Sequence, residues 1–173
     1  MEIKYRTFWP RFWSGWIDTL VFLPFILISN YVYSSGAKLP VVVVAFYHVF
    51  YSLLWYAYSI YFHGKFGQTL GKMAMKVKVM DLSETRTIDF KQALLRDSIP
   101  LGFTIVLLPH DVIQIMNGTS YMLNPTTTQP DKISMILICV MMVWGILEIV
   151  TMLFNSRRRA IHDFIAGSIV VRV

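Results

Sequence analysis

The sequence predicts an all-α membrane protein: a bundle of four transmembrane helices with a small cytoplasmic β element and an amphipathic helix. Three observations carry this. Of 173 residues, 55% are hydrophobic and 15% charged, with a mean hydropathy of +0.54, the balance of membrane spans rather than of a soluble core. Apolar runs recur along the chain, three of them longer than the roughly 20 residues a helix needs to cross a bilayer core. Finally, if every run crosses, fourteen of the sixteen Lys and Arg residues fall on one side, leaving only Lys38 and Lys132 opposite. That asymmetry is the positive-inside pattern, with both termini cytoplasmic.

The first span is expected at about 12–34 and the second at about 39–62, where His48 is the one side chain that titrates near neutral pH. The third, about 98–116, carries Pro100, Pro109 and Asp111, so an irregular span is expected. Charge decides that it crosses, since otherwise the Arg157–Arg159 run would lie outside. The last span, "ISMILICVMMVWGILEIVTMLF", is expected at about 133–154. All of it reads as one domain over 1–173, with no cleavable signal peptide, repeat or low-complexity tract.

The segment 63–97 is expected in the cytoplasm and is too patterned for a slack linker. "MKVKVM" (75–80) alternates apolar and basic residues, the period of a half-buried strand. "DFKQALLRD" (89–97) reads as a short amphipathic helix, with Asp89 as N-cap and Gln92 completing a capping box. In the C-terminal segment 155–173, "GSIVVRV" is strand-like as well, and two short strands with open edges are expected to pair with each other. Asn117 to Pro130, rich in Asn, Thr and Pro, is expected to be an irregular external connection.

Within these spans two carboxylates stand out. Asp18 lies inside the first apolar run, two helical turns beyond Arg11 on the same face, with Ser14 and Gly15 between them. This small, polar stripe is expected to face the bundle, because small residues let a neighbouring helix approach closely. Glu148 sits six residues before the end of the last span, and Asp18 six residues into the first. At 1.5 Å per residue both lie roughly 9 Å below the same surface. There they could share a proton or a monovalent cation, or pair with Arg11, Arg96 or the Arg157–Arg159 run and fix helix packing.

Other features carry less chemistry. "GQTLGK" (67–72) lacks the spacing and the Ser or Thr of a phosphate loop. Gly67 and Gly71 read instead as a tight turn or a close approach. His162 beside Asp163 has no nucleophile motif to serve, and His48, His63 and His110 lack metal-ligand spacing. Trp55, Tyr56, Tyr58 and Tyr61 read as an interfacial anchor. Cys139 is the single cysteine, which excludes an internal disulfide. The expectation is therefore no enzyme, no cofactor, no metal and no nucleic-acid partner.

"RFWSGWID", "FGQTLGKMAMKVKVMD", "ALLRD" and "RRRAIHDFIAGSIVV" occur in order between the expected spans. Together they resemble the RDD family of integral membrane proteins, named for one arginine and two aspartates. On that resemblance Arg11, Asp18 and Asp163 are the naming residues, forming a buried charge cluster if the C-terminal segment folds back beneath the helices. The resemblance implies transport of an unspecified ligand, with cation/proton antiport proposed for some members.

Two functions are therefore expected from the sequence. One is a small transporter of a cation or other small ligand, oligomeric and proton-coupled, in the bacterial inner membrane. The other is a non-catalytic membrane scaffold that recruits a partner through its cytoplasmic face.

Overall fold

A computed structural model describes residues 3–34, 38–120 and 129–173. Part of the expected external connection, 121–128, lies outside the described residues. The chain is mostly helical. Three helices are long and apolar enough to cross a membrane: α3 (Val41–Phe66), α5 (Phe90–Met116) and α6 (Lys132–Phe154). A fourth span exists if α1 (Phe8–Val21) and α2 (Leu23–Ser34) act together. The first expected span is thus two helices interrupted at Phe22 rather than one. Pro24, the second residue of α2, has no N–H for the Leu20 carbonyl, and its ring crowds the preceding turn.

The third span also differs from expectation. The amphipathic segment and the span merge into the single 27-residue helix α5, which runs through Pro100 and Pro109. Each proline removes one ladder bond, leaving the Arg96 and Ile105 carbonyls without their usual backbone donor, yet the helix continues past both. Thr104 Oγ1 adds a side-chain bond to the Pro100 carbonyl at 3.1 Å. In α6 only 6% of the most apolar window is buried within the protein. Its side chains are turned outward, as a bilayer solvent requires.

The chain divides into two compact units. The first comprises Met1–Val21, Tyr56–Ile99 and Met142–Val173. It holds α1, the short helix α4 (Leu70–Ala74), strand β1 (Val77–Asp81), the short helix α7 (Ile161–Ile165) and strand β2 (Ser168–Arg172). The two expected strands pair with each other, antiparallel, with Val77 opposite Arg172 and Asp81 opposite Ser168. Period-two alternation buries Val77 and Val79 with Val170, Ile88 and Ala93, and Ile60 and Met75 pack on them. Gly67 supports the sheet's other edge: its carbonyl accepts from Val79 N–H at 2.8 Å. With φ +71°, and with Thr87 and the Val79 carbonyl where a Cβ would go, only glycine fits there.

The start of α5 is fixed by the capping box. Asp89 Oδ1 accepts from Gln92 N–H at 2.8 Å, and Gln92 Oε1 accepts from Asp89 N–H at 3.3 Å. The Gln92 amide also donates to Asp81 Oδ1 and to the Ala166 and Gly167 carbonyls. One side chain thereby ties the helix to β1 and to the turn before β2.

The second unit comprises Phe22–Trp55 and Pro100–Met141. Val32, Val44, Ala45 and Ile115 form its core, flanked by Tyr33, Leu39, Tyr47 and Val112. Polar groups in it are paired locally, Ser29 with Tyr47 at 2.8 Å and Tyr33 with His48 Nδ1 at 2.9 Å.

Candidate functional site

The first unit contains two polar networks, each built around one buried aspartate. Asp163 is fully buried at the first turn of α7. Its Oδ2 accepts from Arg11 Nη1 at 2.8 Å and, reaching back, from the Ala160 N–H at 2.9 Å. Its Oδ1 lies 2.8 Å from Arg96 Nη1 and 3.4 Å from the Ser168 hydroxyl. Both oxygens therefore have two donors each, so a buried carboxylate that would otherwise be costly is fully satisfied. Burial alone would raise the Asp163 carboxyl, but the Arg11 and Arg96 guanidiniums outweigh it and hold the group well below the usual carboxylate range.

The same two arginines also meet at His162. Arg11 Nη2 lies 3.0 Å and Arg96 Nη2 2.8 Å from its Nε2. A guanidinium can only donate, so Nε2 must accept and the neutral ring carries its proton on Nδ1. Nδ1 in turn lies 2.7 Å from Glu148 Oε2, while Glu148 Oε1 accepts the His162 backbone N–H at 3.1 Å. Burial and then the Arg96 charge lower the imidazole's pKa, favouring that neutral form. Lys72, on α4, is likewise pushed down to about 7 by burial and then by Arg96. Positive charge is crowded here, and Asp163 is its main counterweight.

Arg11 closes the loop with a third contact, donating to the Arg158 carbonyl at 3.0 Å. Arg158 itself adopts φ +52° and caps α6, donating from Nη1 to the Leu153 carbonyl at 2.6 Å. Arg159 Nε donates to the Ser168 carbonyl at 3.0 Å. Arginines that the sequence assigned to topology thus also shape the link between α6 and α7.

Asp18 belongs to the second network and meets no arginine among the described residues. Its Oδ1 accepts from Tyr58 Oη and from the Gly71 N–H, each at 2.7 Å, and its Oδ2 from Thr69 Oγ1 at 2.7 Å. Neutral donors from α3 and the start of α4 hold it. Gly71 makes this approach feasible: a Cβ there would collide with the Ser14 carbonyl and lie 2.8 Å from Asp18 Cγ. Ser14 is buried on the same stripe, its hydroxyl on the Arg11 carbonyl at 2.7 Å. Gly15 departs from expectation: it is exposed, with open space around it.

Of the residues expected to form a site, the structure brings Arg11, Arg96 and Asp163 together and sets Glu148 beside them through His162. Asp18 and Glu148 have no partner in common. Four participants were not read from sequence as such. Tyr58 reads from sequence as part of an aromatic anchor, His162 has no nucleophile motif to serve, and Thr69 and Ser168 carry no signal beyond their place in "GQTLGK" and "GSIVV".

Long apolar helices with sparse internal burial, tied together at one end by buried charge, define a multi-pass membrane protein. The RDD family's sequence profile matches residues 5–167, nearly the whole chain, and the protein belongs to the RDD family. No curated protein and no solved structure matches it.

Proposed function

We propose that this protein is a small transporter of a cation or other small ligand, coupled to protons, in which Glu148 and His162 form the proton-exchanging pair. The observation that supports it is the contrast in access between otherwise similar groups. The side chains of His162 and Glu148 are 25% and 13% exposed, with Glu148 Oε2 itself covered, whereas Asp163 is 0% and Asp18 2% exposed. A group that exchanges protons must reach water, and one that is sealed and fully hydrogen-bonded cannot do so without opening the fold. A proton arriving here adds to the Glu148 carboxylate, because Nδ1 already carries the ring's proton and two guanidiniums occupy Nε2. The charge distribution along the chain supports an orientation with both termini cytoplasmic. The small number of helices favours a homo-oligomer, and a bacterial inner membrane is the setting proposed.

A second reading has its own support. Asp163 and Asp18 have the saturated hydrogen bonding of structural groups, and the β1–β2 sheet offers a rigid face, as a non-catalytic scaffold would need. Proteoliposomes carrying sodium, potassium or lithium under an imposed proton gradient separate the two. Transport predicts pH-dependent flux that Glu148→Gln abolishes while the protein still folds. A flat response to all three cations from folded, inserted protein removes cation/proton exchange and leaves the scaffold.

A further inference from the structure

Where the first turn of α1 meets the end of α6, a groove of about 540 Å³ is lined by Arg6, Phe8, Trp9, Leu153 and Arg158. Its composition is divided. Trp9 is 64% exposed, Leu153 is exposed beside it, and the next residue, Phe154, is almost fully so. These lie at the ends of apolar helices, where a bilayer covers them. The other component is cationic. The Arg6 guanidinium has no partner among the described residues, and Arg158 commits Nη1 to the carbonyls that end α6, leaving Nε and Nη2 available. The first-turn amides of α1 bring the positive end of a helix to the same place.

We infer that this groove is a binding site for one anionic phospholipid, its phosphodiester held between Arg6 and Arg158 and its acyl region lying on Trp9, Phe8 and Leu153. Charge complementarity selects the occupant. Two guanidiniums with free donors and no carboxylate among the described lining residues favour a headgroup with net negative charge over a zwitterionic one, whose ammonium would find no described carboxylate to pair with. The apolar floor favours a lipid over a free anion, because inorganic phosphate would leave Trp9 and Leu153 uncovered. Arginine suits this role better than lysine, since its planar fork can grip a phosphate with two donors while a third serves the helix end.

Native mass spectrometry of the purified full chain, with phosphatidylglycerol or phosphatidylcholine added at equal amounts, tests the assignment. One phosphatidylglycerol should remain bound preferentially, and Arg6→Gln should weaken its retention roughly five-fold. Arg6→Gln breaks no described contact and so leaves the fold intact; the Arg6→Gln/Arg158→Gln double variant should lose the preference entirely. Lys91→Gln, removing an exposed charge elsewhere, should change nothing. Equal retention of both lipids, equal loss in Lys91→Gln, or displacement of the lipid by millimolar inorganic phosphate would each overturn the inference.

Discussion

Arg11 and Asp163 stand 152 positions apart in the chain and meet at 2.8 Å, with both side chains almost wholly buried. Arg96 closes on the same carboxylate from the other oxygen at 2.8 Å. Asp163→Asn leaves two buried guanidiniums facing a neutral amide, so it should cost about 3–5 kcal/mol. Asp18→Asn should cost less, about 1–3 kcal/mol, because its hydrogen-bond donors are neutral and the charge it leaves, Lys72, is not directly bonded to it. Thermal unfolding in detergent ranks the two variants. Equal losses would contradict the division into a charged and a neutral network.

The charged network also sets a pH dependence with a definite sign. The Asp163 carboxyl is held below its unfolded value, so the stabilisation is complete above about pH 4. It is lost as pH falls through the lower folded value. The melting-temperature gap between wild type and Asp163→Asn should therefore be constant from pH 7 to pH 5 and narrow toward pH 3. A gap that widens on acidification would reverse the assignment.

At His162 the expected state is a neutral ring protonated on Nδ1. Nitrogen chemical shifts of ¹⁵N-labelled histidine at pH 7 should show one protonated and one hydrogen-bonded, unprotonated nitrogen for this residue. Arg96→Gln should raise the pH at which the ring charges, since it removes a positive neighbour that lowers the imidazole's pKa. Two protonated nitrogens in the wild type at pH 7 would refute the tautomer.

Gly71→Ala places a methyl group against the Ser14 carbonyl and Asp18 Cγ. Backbone cannot yield as a flexible side chain would, so a loss of roughly 2 kcal/mol or more is expected. Gly15→Ala, at a position with open space, should be neutral or slightly stabilising through helix propensity. Folded yield after solubilisation, compared for the two variants, checks this.

For the proposed orientation, single cysteines introduced in a Cys139→Ala background report sidedness. A cysteine at Ser83 should react with a membrane-impermeant reagent from the cytoplasmic side, and one at Asn117 from the other. Both positions are exposed. Labelling of both from one side would exclude the proposed arrangement.

Local patterns were the legible part of this chain. The alternation in "MKVKVM" and "GSIVVRV" foretold two strands with only each other to pair with, and Asp89 with Gln92 formed the expected capping box. The Arg11–Asp163 contact followed from resemblance rather than spacing, because nothing local links residues so far apart. Depth along a helix was readable too, but depth leaves rotation about the helix axis open. That is why Asp18 and Glu148, placed at one level by counting residues, have entirely different partners. Asp18 found neutral donors because Gly71 lets α4 approach α1, a tertiary closeness that a glycine alone does not announce. The interruption at Phe22 and the continuity of α5 through two prolines turn on whether surrounding structure absorbs a lost backbone bond.

The long separation between Arg11 and its counterion also has a consequence in time. Chains emerge at about 5–20 residues per second, so Arg11 is made roughly eight to thirty seconds before Asp163. Throughout that interval its charge must be satisfied by water, lipid headgroups or the insertion machinery, even though Tyr58, Thr69 and Gly71 can already hold α1 through Asp18. Arg96 waits as well, though less long. The arrival of α7 therefore completes a circuit that every earlier span has left open. A chain halted before Asp163 presents two arginines without their carboxylate, and Val77 and Val79 without a strand to cover them. Those are the features by which an unfinished copy differs physically from a finished one.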